Sequence, residues 1–323
     1  MKLNTYLDDA NIDIYGKENL EHSLSNFIVY DKLDDIMPGA WKTYDAIICI
    51  VAMGAVVRKI APLLQDKSTD PAVLVINLDL TKIVPLLSGH LGGANELAST
   101  LTTKLPNCIN FITTATDQTN TLSFEMEAKE NDWEILNIKA LANISNRLLN
   151  KQEVKVCTYF KVFDALSNKE NLELIDTKDI DENSVIILPN IEQVNDNLTF
   201  KPKVFLGIGC NRDTSFEEIQ KAIFLFLVTN NLKLSQIKNI ASFDAKSDEV
   251  GLLEFANKYN FDIKFYKKDD INSLENEFST SQATKFFGLK GVAEPASILV
   301  SKYKELIIKK EVYNKQITIA GAI

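Results

Sequence analysis

The sequence predicts a multidomain α/β protein with mainly parallel sheets flanked by helices and a small α/β unit in the middle. Three observations carry this. Strand and helix signals alternate through most of the chain, the pattern of successive βα units. Two early apolar runs, Tyr44–Ala52 (YDAIICIVA) and Ala72–Leu78 (AVLVINL), are nearly continuous, as strands buried on both faces are. The length, 323 residues, exceeds what one small core organises. The expected parts are residues 1–136, 137–196 and 197–323.

In order, Tyr44–Ala52 is a strand, Met53-Gly54-Ala55 a tight turn, and Val56–Leu64 a short amphipathic helix with Arg58 and Lys59 on its polar side. Asp70-Pro71 breaks the chain before the strand Ala72–Leu78. Lys82–Pro85 is extended, Ser88–Gly93 (SGHLGG) a loop, and Ala94–Leu105 a helix. Ile109–Thr113 is a strand ending in Thr114-Ala115-Thr116-Asp117. The polar stretch Gln118–Asn131 reads as a connection. The middle unit holds a helix, Ile138–Leu149, and two strands, Val154–Phe160 and Ser184–Leu188. Asn190–Thr199 reads as a linker. The last part opens with a strand, Val204–Ile208, and a helix capped by Thr214 or Ser215 with Glu217 and Glu218 in its first turn. Strand Ile237–Phe243, helix Asp248–Tyr259 and strand Phe261–Tyr266 follow. Pro295 opens a late helix, and Leu306–Lys309 with Gln316–Ala320 form a closing antiparallel pair.

A net charge of -9 argues against a nucleic-acid partner, and an anionic small molecule would need a local basic site. Cys49, Cys108, Cys157 and Cys210 are scattered without a CxxC pair. Buried reduced thiols in a soluble, cytoplasmic protein are expected. The longest apolar burst, Ala222–Val228, is far too short to span a bilayer. Two isolated histidines, His22 and His90, do not suggest a metal centre.

Ile83–Leu97 (IVPLLSGHLGGANEL) is the most informative stretch. Ser88, Gly89, Gly92 and Gly93 put unhindered backbone N–H groups near a helix start, which attracts anionic oxygens. His90 can take a proton from water near neutral pH, with Asn95 and Glu96 beside it. A glycine-rich turn whose histidine merely bonds a carbonyl explains the pattern as well. In parallel sheets the loops after the strands gather in one crevice. Gly54, the SGHLGG loop and the Thr113–Asp117 run, including Thr114, Thr116 and Asp117, are therefore expected to converge, with Arg58, Lys59 and Lys67 nearby. Cations on a helix are more commonly just its solvated face. Gly207 and Gly209 lie in a second strand-to-helix turn, but Arg212 stands where a dinucleotide fingerprint needs glycine. Cys210 lacks an activating histidine and reads as packing. Lys246, Asp248, Glu249 and Glu294 sit at strand ends and helix starts, where acidic residues usually complement the dipole.

The strings GAVVRKIAPLLQDKSTDPAVLVINL, VPLLSGHLGGANELA and ITTATD, and later FLGIGCNRDTS, IASFDAKSDEVGLLEFA, GVAEPASIL and ITIAGAI, go further. In wording and order they resemble the cobalt-precorrin-5A hydrolase (CbiG) family of anaerobic cobalamin biosynthesis. The family's usual GxGCRRG turn is altered here, with Asn211 for the first arginine and Asp213 for the last glycine. The resemblance implies a cobalt-tetrapyrrole substrate whose ring A acetate δ-lactone is opened by water, with loss of acetaldehyde. It implies no protein cofactor, because cobalt belongs to the substrate. In that chemistry His90 is the expected base, with Glu96 or Asp117 as orienter or substitute, and Gly92 and Gly93 N–H groups hold the oxyanion. Gly54, Arg58, Lys59, Lys67, Ser88, Gly89, Asn95, Thr114 and Thr116 are expected to contact substrate. From the last part Gly207, Gly209, Arg212, Lys246, Glu249 and Glu294 would do so, the outer domains enclosing the macrocycle.

Expected partners besides substrate are transient contacts with other corrin-pathway enzymes and a second copy in a homodimer, but neither nucleic acid nor membrane. A non-catalytic corrinoid carrier is the alternative within the family. A nucleotide enzyme would need a P-loop lysine, and a serine esterase a GxSxG elbow; neither motif is present.

Overall fold

The computed structural model describes residues 7, 11–18, 27–66, 69–90, 92–113, 121–191, 196–279 and 288–323. The chain forms two compact units, Met1–Asn120 and Thr121–Ile323.

In the first unit β1 (Ile14–Gly16) and β2 (Phe27–Val29) pair in parallel. The main sheet contains β3 (Ala46–Cys49), β4 (Ala72–Ile76), β5 (Lys82–Leu87) and β6 (Ile109–Asn110), in that spatial order. All five residues of β4 are buried. Its side chains alternate between two cores, as a period of two requires. Ala72, Leu74 and Ile76 pack with Ala94, Ala98 and Leu101 of one helix. Val73 and Val75 pack with Met37, Val56 and Ile60 of the helices on the other face. Those helices are α1 (Leu33–Thr43) and α2 (Met53–Ile60), with α3 (Ala94–Lys104) opposite. Helix α2 begins at Met53, so the expected turn at Met53-Gly54-Ala55 is its first turn; Ala52 lies in extended backbone just before it.

The decisive departure is strand direction. β3 and β4 run parallel, but β5 runs antiparallel to β4, and β6 follows β5. Only five residues, 77–81, join β4 to β5, a hairpin-scale connection that cannot make a parallel crossover. The carboxyl ends of β3 and β5 therefore lie at opposite ends of the sheet.

The second unit contains two five-stranded sheets. One comprises β7 (Glu134–Ile135), β8 (Val154–Thr158), β9 (Leu172–Ile175), β10 (Val185–Ile187) and β11 (Leu198–Lys201), in the order β7-β11-β10-β8-β9. It is parallel apart from the β7–β11 pair. Described parts of two segments read as connections belong to this layer. Phe124–Asn131 is a helix, α4, capped by Ser123, and buries Phe124, which stacks on Phe200. The end of the Asn190–Thr199 linker is β11, whose Leu198, Thr199 and Phe200 are buried. Both were missed because their charged and amide residues hide one apolar face. Helices α5 (Leu141–Leu149) and α6 (Phe160–Asp164) complete this layer.

The other sheet comprises β12 (Val204–Cys210), β13 (Ile237–Phe243), β14 (Ile263–Tyr266), β15 (Leu306–Tyr313) and β16 (Ile317–Ala322), ordered β14-β13-β12-β16-β15. Its first three strands are parallel and the closing pair antiparallel, as the sequence indicates. Helix α7 (Phe216–Thr229) opens with a reciprocal Ser215–Glu218 cap, the i, i+3 signature read from the sequence. Helices α8 (Val250–Lys258), α9 (Lys268–Ser273) and α10 (Ala293–Val300) follow. Among the described residues no helix is long and apolar enough to cross a membrane.

Candidate functional site

The SGHLGG loop joins β5 to α3 and is built on unusual backbone. Ser88 is buried and adopts φ +54°, uncommon outside glycine. Its hydroxyl donates to the Asp70 carbonyl at 2.9 Å, tying the loop to the chain entering β4. The Ser88 and Gly89 carbonyls accept the Ala94 and Asn95 N–H groups at 3.2 and 2.9 Å, and the His90 carbonyl accepts from Gly93 at 3.0 Å. The loop thus caps its own helix, satisfying donors that would otherwise face solvent. A Cβ on Gly92 would lie 2.4 Å from Ser88 Cβ, and Gly93 caps α3 at φ +82°. The glycines are needed to close this turn, whatever else they do.

This changes the oxyanion expectation. The Gly93 N–H is already engaged by His90, so Gly92, which is exposed, is the better donor of the two. His90 is half-buried, Asn95 half-buried, and Glu96 exposed in the first turn of α3. Lys67, Thr114, Thr116 and Asp117 lie outside the described residues, as does His22.

The expected convergence with Gly54 does not form. Gly54 follows β3 at its carboxyl end, whereas the SGHLGG loop follows the reversed β5 and meets the amino end of β4. Lys59 is held by Asp34 at 2.7 Å. Arg58 donates to the Gly54 carbonyl at 2.9 Å and joins no ion pair among the described residues. Its exposed guanidinium retains donors for a carboxylate, and exposed Met53 and Val57 lie on the same helix.

Three residues of the first unit escaped sequence reasoning. The Tyr44 hydroxyl donates to Asp13 at 2.5 Å and lies 2.9 Å from the Tyr15 hydroxyl. Donation to Asp13, the largest cause, holds the Tyr44 phenol well above its ordinary range. Nothing in the sequence marks this group, because 31 residues separate Asp13 from Tyr44.

In the second unit, the residues expected to contact substrate have other work. Arg212 binds Asp248 at 2.5 Å, Glu249 at 3.1 Å and the Ala245 carbonyl at 2.7 Å. Lys246 binds the buried Glu249 at 2.9 Å, and Glu249 also accepts the Asp213 N–H at 3.1 Å. These bonds clasp the loops after the parallel strands β12 and β13. A cleft of about 360 Å³ lies alongside, lined by Asp213, Glu217, Asp248, Glu249 and Glu254 against the single Arg212. Such a lining disfavours carboxylates.

Gly207 meets a packing requirement. It is buried, and a Cβ there would fall 1.8 Å from the Ala293 carbonyl oxygen of α10. Close helix–strand approach requires it. Gly209 faces Thr318, whose Oγ1 would lie 2.6 Å from such a Cβ. Burial pushes the Cys210 thiol up to about 11 despite nearby Lys246, consistent with packing.

Glu294 is buried and accepts three bonds, from the Ser279 N–H and hydroxyl at 2.8 Å each and from the Lys310 N–H at 3.0 Å. In these bonds it braces the start of α10. Burial disfavours its charge, but the bonds from Lys310 and Ser279 outweigh that and lower its pKa. Its contribution to stability is therefore present above the ordinary glutamate value of about 4.3 and lost as pH falls through the lower folded value. We expect Glu294→Gln to lower the urea midpoint at neutral pH and to flatten its decline in acid. An unchanged acid slope would refute this.

Comparison with known proteins follows the same division. A sequence model described as Cobalamin synthesis G N-terminal matches residues 35–117, and one described as Cobalamin synthesis G C-terminus matches residues 204–322. Cobalt-precorrin-5A hydrolase of Priestia megaterium is 32% identical over 308 residues, covering 88% of this chain and 80% of that one. The protein of the same name from Salmonella typhimurium is 30% identical, covering 81% and 78%. A solved structure of a cobalamin biosynthesis protein G homolog from Sulfolobus solfataricus is 26% identical, covering 91% and 87%, with a TM-score of 0.36.

Proposed function

Because the chain belongs to the cobalamin synthesis G family, we propose that it is a cobalt-precorrin-5A hydrolase: water opens the ring A acetate δ-lactone, acetaldehyde leaves, and cobalt-precorrin-5B remains. The observation that carries this is 32% identity to a hydrolase of that name across 88% of the chain.

The chemistry needs an activated water, a place for the oxyanion, and a way to cleave the carbon–carbon bond next to the released alcohol. His90, half-buried on a loop held by its own hydrogen bonds, is the base for water in this reading. In this reading the Gly92 N–H donates to the oxyanion. The cobalt and the conjugated macrocycle arrive with the substrate and supply the electron sink. The enzyme works in the cytoplasm, where buried thiols such as Cys49 and Cys157 stay reduced.

The test is acetaldehyde release from cobalt-precorrin-5A by the purified chain, with substrate binding measured alongside. Release is expected. Binding without release would favour a corrinoid carrier and overturn the enzyme reading.

A further inference from the structure

The reversal of β5 gives the SGHLGG loop a neighbourhood that the sequence conceals. The Ala72 N–H donates to the Asp45 carbonyl at 2.9 Å, and the Ser88 hydroxyl donates to the Asp70 carbonyl at 2.9 Å. The short segment entering β4 is thus gripped on one side beside Tyr44 and on the other by the loop bearing His90. β3 and β5 both flank β4, so Tyr44 and the loop emerge from the same sheet end, roughly 10 Å apart at two strand spacings.

The group at Tyr44 has a direction. Its proton points to Asp13 at 2.5 Å, which leaves its oxygen to accept from Tyr15 at 2.9 Å. The order is Tyr15 to Tyr44 to Asp13, and Asp13 is exposed, so it can exchange a proton with solvent. Chains of this kind polarise their members.

We propose that Tyr44 is a catalytic proton relay for the second half of the reaction, with Asp13 as proton acceptor and Tyr15 as a positioning residue. This rests on the hydrolase reading above. Once the lactone is open, the alcohol gives its proton to Tyr44 as Tyr44 passes its own to Asp13. The oxygen electron pair forms the carbonyl of acetaldehyde, the adjacent carbon–carbon bond breaks, and its pair enters the conjugated macrocycle. Asp13 then returns the proton to water. The division gives each proton transfer its own group, His90 for the water and Tyr44 for the alcohol.

The test compares wild type, Tyr44→Phe and Asp13→Asn on cobalt-precorrin-5A, following acetaldehyde by coupled reduction and the macrocycle by mass spectrometry. In both variants we expect acetaldehyde release to fall by about 10²-fold or more, while the ring-opened alcohol, still carrying its two-carbon fragment, accumulates. A merely structural role would slow both steps together. Release at the wild-type rate by Tyr44→Phe, or loss of ring opening in step with release in both variants, overturns the relay and leaves the hydrolase reading intact. A wild type that releases no acetaldehyde overturns that reading and the relay with it.

Discussion

Replacing His90 with alanine should cut acetaldehyde release by about 10² to 10⁴, the range typical for a lost general base, while substrate binding changes little. Several backbone and side-chain bonds fix the loop around His90. Its fixed points are the Ser88 hydroxyl on Asp70, the Ser88 and Gly89 carbonyls on α3, and the His90 carbonyl on Gly93. These bonds survive the substitution, and an unchanged urea midpoint in the variant would assign a rate loss to chemistry rather than collapse. The block should also fall earlier than that of Tyr44→Phe: intact lactone should persist, with no ring-opened alcohol. Rates within a few-fold of wild type would remove His90 as the base and direct attention to Glu96.

The largest effect on stability is expected at Gly207. Alanine there would place its Cβ 1.8 Å from the Ala293 carbonyl oxygen and 2.5 Å from the Ser297 nitrogen. Both are backbone atoms, so no rotamer change relieves the overlap, and α10 must move off the sheet. That helix buries Ala293, Glu294, Pro295, Ala296, Ser297, Ile298 and Val300, so moving it opens the core. A loss of about 3 kcal/mol or more is expected, at or beyond the upper end for overpacking, read as a lower urea midpoint. Gly209→Ala is the control. Its nearest obstacle is the Thr318 hydroxyl at 2.6 Å, which a side-chain rotation can withdraw, so it should cost less. Equal midpoints for the two variants would contradict the packing assignment.

What could be read in advance was mostly local. The Ser215–Glu218 cap lies three residues apart and needs no knowledge of the rest of the chain. The continuous burial of Ala72–Ile76 follows from an unbroken apolar run. Phe124–Asn131 was missed because its burial is confined to one side of a polar helix, and β11 because three buried residues sit at the end of an amide-rich stretch.

By itself, then, the sequence determined the α/β class, most strands and helix starts, and the motif-bearing loop, because periodicity, caps and turns are settled within a few residues. Only the tertiary structure decided what those pieces face. It reversed β5 and parted Gly54 from the SGHLGG loop, and it spent Arg212, Lys246 and Glu249 on one another. It also turned Glu294 inward to Ser279 and Lys310, and brought Asp13 to Tyr44. Each of these depends on which distant segments bury their apolar faces together, and a charged side chain finds its partner only after that packing has fixed where it stands.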